Sequence, residues 1–276
     1  MKIAIGYHVQ AQAWGGGNRF VAALAAALED RGDSVVTGLG DEDIDIILMI
    51  DPRARNPTTA FTPGAILRHI LRRNPRAIVV HRINECDERK NTKTMNARLR
   101  LANQCADHTV FVASWLMDLP VWRNKDRGTC SVILNGADTG VFNPTGHEPW
   151  SGEGPLKLVT HHWGGNWMKG FDVYQRLDRM LASDDWRGRV EFTYVGNLPA
   201  GFRFENARHV APLDGVSLAD ELRNHHVYLT ASINEPGGNH QNEGALCGLP
   251  LLYRDSGCLP EYCDGFGVMF KGVGGF

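Results

Sequence analysis

Two carboxylates, Glu235 and Glu243, bracket a glycine turn in the run Glu-Pro-Gly-Gly-Asn-His-Gln-Asn-Glu-Gly-Ala-Leu-Cys-Gly-Leu-Pro at positions 235 to 250. Pro236, Gly237 and Gly238 interrupt the preceding strand and its loop, and Asn239 is a residue type that caps a helix, here expected to run to about Cys247. Backbone N–H groups at such a helix start, with the positive end of the dipole, suit a diphosphate; the dipole alone contributes about 0.3 to 2 kcal/mol. Glu243, one turn in, is placed to reach ribose hydroxyls. The same residues also fit a capped surface helix with two solvated glutamates, and the segment by itself leaves both readings open.

Lys169 ends the polar, aromatic loop His161-His162-Trp163-Gly164-Gly165-Asn166-Trp167-Met168-Lys169, just before a helix beginning at Gly170-Phe171. A cation there suits a diphosphate, because lysine serves phosphates as a mobile point charge. It equally fits a surface lysine near a turn, and Trp163 and Trp167 equally fit packing between domains. Gly15-Gly16-Gly17 opens a helix after the first strand, so backbone can approach a phosphate or sugar where no Cβ intervenes. The spacing is not the dinucleotide fingerprint, in which the turn follows the strand at once. His81 is expected to end a strand and face a cleft, as a ligand of the transferred group or as a hydrogen-bonded structural residue, with Asn84, Glu85 and Asp87 as rivals in the same loop. His161 and His162 are adjacent on a strand and point to opposite faces, so they do not suggest a metal pair.

The elements that must position these groups alternate along the chain. Strands are expected at 3–7, 34–37, 44–50, 77–81, 109–112 and 131–134, with helices at 18–31, 65–73 and 92–105; Phe20, Val21, Leu24 and Leu28 share one face of the first helix. A breaker-rich stretch from Phe142 to Pro155 reads as a linker. The alternation then resumes with strands at 156–161, 190–195, 208–210 and 227–230 and helices at 171–181 and 217–224. This pattern predicts an α/β protein of two Rossmann-like, doubly wound parallel-sheet domains, 1–149 and 150–276, facing a cleft.

Composition bounds the reading. The 276 residues are 43% hydrophobic and 22% charged, enough for two cores, and a net charge of −2 argues against a general nucleic-acid binder. One stretch is basic (Arg68, Arg72, Arg73, Arg76, Arg82, Arg89, Lys90, Lys93, Arg98 and Arg100), which fits a solvated face or a peripheral contact with anionic membrane or an anionic acceptor. The six cysteines lack zinc-ligand spacing and read as reduced thiols of a cytoplasmic protein; no signal peptide or spanning segment is evident. Asp41-Glu42-Asp43, the one dense acidic cluster, precedes a strand and so falls at the wrong sheet edge for a metal-bridged diphosphate.

Taken together, these residues resemble the GT-B glycosyltransferases of the large retaining family 4. The resemblance rests on Gly15-Gly16-Gly17, on Val132-Ile133-Leu134-Asn135-Gly136-Ala137-Asp138 with Phe142-Asn143-Pro144, on Lys169-Gly170, and on Glu235 and Glu243 with Gly248-Leu249-Pro250 and Pro260-Glu261 downstream. It implies that Lys169 contacts a donor diphosphate, that Glu235 lies by the donor sugar, that Gly238, Asn239 and His240 offer N–H groups near the phosphates, that Glu243 binds the ribose, and that Gly16 and Gly17 approach the donor from the other domain. It implies no metal or other cofactor, a nucleotide-sugar donor as partner and an unidentified acceptor.

Three departures qualify this transfer. Trp163 stands where relatives commonly carry an arginine, with Asn166, His162 or Arg19 as candidates to compensate. His81 matches the family's first-domain catalytic histidine only approximately. The second domain reads as a shortened version. The expected function is retaining transfer of a sugar from a nucleoside diphosphate sugar; a sugar-nucleotide 2-epimerase of the same architecture and a non-catalytic nucleotide-sugar-binding module are the alternatives.

Overall fold

A computed structural model describes residues 1–10 and 16–276. Contacts divide the chain into two compact units, Met1–Leu134 and Asn135–Phe276. The division precedes the breaker-rich stretch from which a boundary at 149/150 was expected. That stretch packs within the second unit: Arg223 Nη1 donates to the Asn143 carbonyl at 3.1 Å, and His147 Nδ1 lies 3.2 Å from the Arg223 carbonyl.

The first unit runs β1 (Lys2–Ile5), α1 (Gly16–Asp30), β2 (Ser34–Val36), β3 (Ile46–Met49), α2 (Pro63–Arg72), β4 (Ile78–Ile83), α3 (Met95–Ala102), β5 (His108–Phe111), α4 (Ser114–Met117) and β6 (Cys130–Val132). Its strands form one parallel sheet in the order β2-β1-β3-β4-β5-β6. The strands are short apolar runs because both sheet faces are covered, by Val21 of α1 with Ile3 and Ile5, and by Ile66 of α2 with Ile47 and Val79. Thr62 caps α2 by accepting from the Ala65 N–H, with Pro63 at the first helical position.

The second unit runs β7 (Leu156–His162), α5 (Phe171–Met180), β8 (Val190–Gly196), β9 (Arg208–Val210), α6 (Gly215–Arg223), β10 (Val227–Thr230), α7 (His240–Leu246), β11 (Leu251–Arg254), α8 (Leu259–Cys263) and β12 (Gly267–Phe270). Its strands form a second six-stranded parallel sheet, in the order β12-β11-β10-β7-β8-β9. Phe171 and Tyr174 of α5 pack on Phe192 and Tyr194 of β8 as an aromatic core. The strand order reverses between β1 and β3 in the first sheet and between β7 and β10 in the second. At such a switch point neighbouring connections leave on opposite faces and open a crevice beyond the carboxyl ends of the strands, where ligands of these sheets bind.

All six cysteines are unpaired. Among the described residues no helix is long and apolar enough to cross a membrane. The basic stretch is not one continuous exposed face: Arg82 is buried with its guanidinium 3.8 Å from the centre of the Phe20 ring, and Arg89 and Lys90 both reach Glu85.

Candidate functional site

Most of the expected site residues gather where β7 and β10 of the second unit end. β7 closes on His161 and His162. The chain then turns through a loop to a single 3-10 turn, Trp167–Lys169, capped by Asn166, whose Oδ1 accepts from the Met168 N–H at 2.8 Å. Gly170 follows with φ of 100°, and a Cβ there would fall 2.5 Å from the Ala231 side chain, so only glycine lets α5 start against the end of β10. The Ile233 N–H donates to the Met168 carbonyl at 2.8 Å and locks the two loops side by side.

This juxtaposition brings Lys169 to Glu235, with Nζ 2.5 Å from Oε2 and side chains 14% and 5% exposed. A third segment holds the Glu235 backbone: the Cys258 N–H donates to its carbonyl at 2.9 Å, and Gly257, at φ of 59°, sits where a Cβ would lie 2.5 Å from the Glu235 nitrogen. Lysine and carboxylate are therefore one unit, and a diphosphate arriving at Lys169 would compete with Glu235 for it.

The glycine turn is built differently from the sequence expectation. Asn239 has helical dihedrals and its side chain makes no capping bond to α7. The turn is held by other amides: Asn135 Nδ2 donates to the Gly237 carbonyl and Gln241 Nε2 to the Gly238 carbonyl, each at 2.6 Å, and Asn242 Nδ2 donates to the Asn135 carbonyl at 2.8 Å. Gly238 cannot be another residue, because a Cβ would meet the His240 ring at 2.6 Å. The His240 side chain points inward, with Nε2 2.8 Å from Thr230 Oγ1. Burial lowers its pKa to about 3, so it is neutral at pH 7 and brings no positive charge to an anion.

Glu243 is 4% exposed and is paired with His161, Nε2 to Oε2 at 2.7 Å. His161 and His162 do point apart: His162 turns to the Tyr174 hydroxyl at 2.9 Å. Burial drives the His162 pKa well below its usual range, so it is neutral and supplies no cation in this loop. Asn166 is engaged in capping its own turn. Among the described residues no group of His, Cys, Asp and Glu is arranged to hold a metal ion.

The first-unit candidates are not in this group. His81 lies inside β4, which continues to Ile83, and is fully buried; its Nδ1 meets Asn103 Nδ2 at 3.1 Å, and burial lowers its pKa to about 3. The expectation that it ends a strand and faces a cleft is corrected: two more residues pair with β5 before the strand stops. Gly15 lies outside the described residues. Gly16 and Gly17 begin α1, where a Cβ on Gly17 would make only ordinary contact with the Tyr7 hydroxyl at 3.6 Å. Asn18 braces this start, its amide exchanging hydrogen bonds with the Gln10 backbone at 2.7 and 3.1 Å.

Sequence reasoning missed Tyr228, Thr230, Asn135 and Gln241. The signal for the first two was present: Tyr228 and Thr230 are polar groups two apart on a short buried strand, hence on one face, and that face meets His161 and His240.

No protein-family model matches the chain, and no curated protein matches it by sequence. Solved structures do match by fold. HepE from Anabaena, solved in complex with UDP-glucose, superposes with a TM-score of 0.66 at 13% identity, over 98% of this chain and 85% of that one. Sucrose-phosphate synthase from Thermosynechococcus elongatus gives 0.66 at 14% identity, over 98% and 86%. WaaG, a glycosyltransferase involved in lipopolysaccharide biosynthesis, gives 0.63 at 12% identity, over 98% and 86%. The fold, two parallel α/β sheets of six strands each, is that of these GT-B glycosyltransferases.

Proposed function

We propose that this protein is a glycosyltransferase that takes a nucleoside diphosphate sugar as donor, bound by the second unit, and moves the sugar to an acceptor with retention of anomeric configuration. The observation that carries this reading is the placement of two buried carboxylates with their partners, Glu235 with Lys169 and Glu243 with His161, at the switch point of one sheet. A nucleoside diphosphate sugar presents what such a site can use: an anionic diphosphate for Lys169 and the backbone N–H groups around Gly238, Asn239 and His240, a ribose for Glu243, and a sugar for Glu235. The matched structures, one of them holding UDP-glucose, support the class of donor.

In the reaction the bond between anomeric carbon and diphosphate oxygen breaks and negative charge builds on the leaving group. Stabilisation comes from groups already aimed at that charge. Lys169 supplies the cation and Glu235, hydrogen-bonded to it, both orients the ammonium and lies beside the positive charge developing on the sugar. We assign the charge on the leaving diphosphate to Lys169 and backbone donors with no metal, so a chelator should leave turnover unchanged. Gly16 and Gly17 are proposed to let backbone approach the ligand without a Cβ. His81, buried in β4, is assigned to support of its sheet rather than to contact with substrate.

A calorimetric screen against uridine, guanosine and adenosine diphosphate sugars tests the reading, with Lys169→Ala as control. One of the three should bind, and the variant should bind it about ten- to a hundredfold more weakly, the loss of a charge-assisted hydrogen bond. Binding to none would overturn the reading. Product analysis with a single sugar nucleotide and no acceptor separates transfer from epimerisation.

A further inference from the structure

The His161–Glu243 contact is one link of a longer chain. His161 Nε2 lies 2.7 Å from Glu243 Oε2, and its Nδ1 lies 3.0 Å from the Tyr228 hydroxyl. All three side chains are buried, Tyr228 completely. For a neutral imidazole the donors and acceptors have one arrangement. An ionised carboxylate only accepts, so Nε2 carries the ring proton; Nδ1 then only accepts, and at 3.0 Å it takes the Tyr228 O–H in preference to the His161 carbonyl at 3.5 Å. The phenol oxygen in turn accepts from the His161 backbone N–H at 3.2 Å. Burial pushes the Tyr228 pKa well above the ordinary phenol range, which keeps the hydroxyl a donor at every working pH. The helix carrying Glu243 is seated on the same ring: a Cβ on Gly244 would fall 2.3 Å from Tyr228, so glycine at this position lets α7 lie directly on it.

We propose that His161, held in one tautomer by Tyr228, is a positioning residue for the nucleotide: it fixes the orientation of the Glu243 carboxylate that takes the ribose hydroxyls. This rests on the donor reading given above. A glutamate side chain has three rotatable bonds, and a carboxylate left to wander among its rotamers offers the ribose a paired acceptor only part of the time. The chain from β10 through β7 to α7 removes that freedom before the ligand arrives. Tyr228 and His161 need not touch the nucleotide to affect its binding.

The test compares ADP, GDP and UDP with their 2′,3′-dideoxy forms by calorimetry on the full chain, using the base that binds best. Glu243→Gln, His161→Phe and Tyr228→Phe should each weaken the ribonucleotide by about three- to tenfold, and none should weaken the dideoxy form by more than about twofold, since only the ribose hydroxyls report on Glu243. His161→Gln, which can offer an amide N–H to Glu243, should recover part of the loss. Tyr228→Phe keeps the ring that supports α7 and carries the test if His161→Phe does not fold. Equal losses for ribose and dideoxyribose would reduce His161 and Tyr228 to structural supports and overturn the inference. So would a ribose-specific loss in Glu243→Gln with none in the other two. Failure of the unmodified protein to bind any of the three diphosphates would overturn the donor reading, and this inference with it.

Discussion

The two sheets treat charge at their switch points in different ways. At the end of β3 in the first unit, Asp51 is joined to Arg53 in the same loop, with Nη2 2.5 Å from Oδ2 and side chains 13% and 34% exposed. At the ends of β7 and β10 in the second unit, Lys169 meets Glu235 across 66 residues of chain and His161 meets Glu243 across 82, all four side chains 14% exposed or less. A local, partly wet pair needs little ordering of the chain and contributes about 0 to 1 kcal/mol. A buried ion pair such as Lys169–Glu235 is expensive to desolvate, and losing one partner leaves an uncompensated charge, at about 3 to 5 kcal/mol. The first arrangement braces a loop. The second keeps charges in low-dielectric surroundings, where they act strongly on a charged ligand.

The contrast breaks most directly at the cations. Lys169→Met should cost about 3 kcal/mol of unfolding free energy, since Glu235 stays buried, and Arg53→Met no more than about 1 kcal/mol. Equal losses in urea titrations of the two variants would mean that the second unit's pair is not specially buried in effect.

Acid should distinguish the regions next. The folded-state pKa of His240 is about 3, lowered by burial, whereas an unfolded histidine titrates near about 6.5. The unfolded chain therefore takes up the proton first. This contribution is complete above about pH 6.5 and is lost toward the folded pKa at about 1.4 kcal/mol per pH unit, about 2 kcal/mol by pH 5. His162 acts in the same direction in the same site, while β4 has only His81, lowered to about 3. Hydrogen exchange between pH 7 and pH 5 should show β7, β10 and α7 losing more protection than β4, and His240→Gln should flatten the pH dependence of stability; an unchanged slope would remove His240 from the account.

The two glutamates sharpen the comparison within the second unit. Glu243→Gln should weaken nucleoside diphosphate and nucleotide sugar alike by about three- to tenfold, a uniform binding loss. Glu235→Gln should depress turnover more than it weakens free diphosphate, and because Lys169 loses a competing carboxylate, diphosphate affinity should hold or rise. Parallel titrations and transfer assays decide it; equal loss of diphosphate affinity in both would remove the distinction.

The smallest effects concern helix starts. Thr62→Ala removes a side-chain cap from α2 and should cost about 1 kcal/mol, whereas Asn239→Ala removes none from α7 and should stay within about 0.5 kcal/mol by thermal or urea unfolding.

Much of this was legible in one dimension. An apolar run such as Ile46 to Ile50 marks a buried parallel strand whatever surrounds it, because both faces of such a strand must be covered. Gly170 after Lys169 and the glycines after Glu235 announce turns through backbone conformations and close approaches that other residues do not accept. Boundaries were less secure. Asn239 looked like a cap, but its turn is held instead by Asn135 and Gln241, so its composition pointed to a helix start without revealing the bonds that fix it. His81 was expected at the end of its strand; instead Arg82 is buried beside Phe20, and β4 runs on to Ile83.

Sequence by itself determined the class of fold and the residue types able to meet a diphosphate, since periodicity, turn chemistry and the identity of Lys169, Glu235 and Glu243 are local properties. Tertiary structure alone decided which of them are partners. Lys169 finds Glu235 because Gly170 admits Ala231, and His161 finds Glu243 because Tyr228 stands between β7 and α7. Those pairings join segments far apart in the chain through the order of strands in a sheet, and strand order is set by how the whole unit buries its faces rather than by any short stretch of residues.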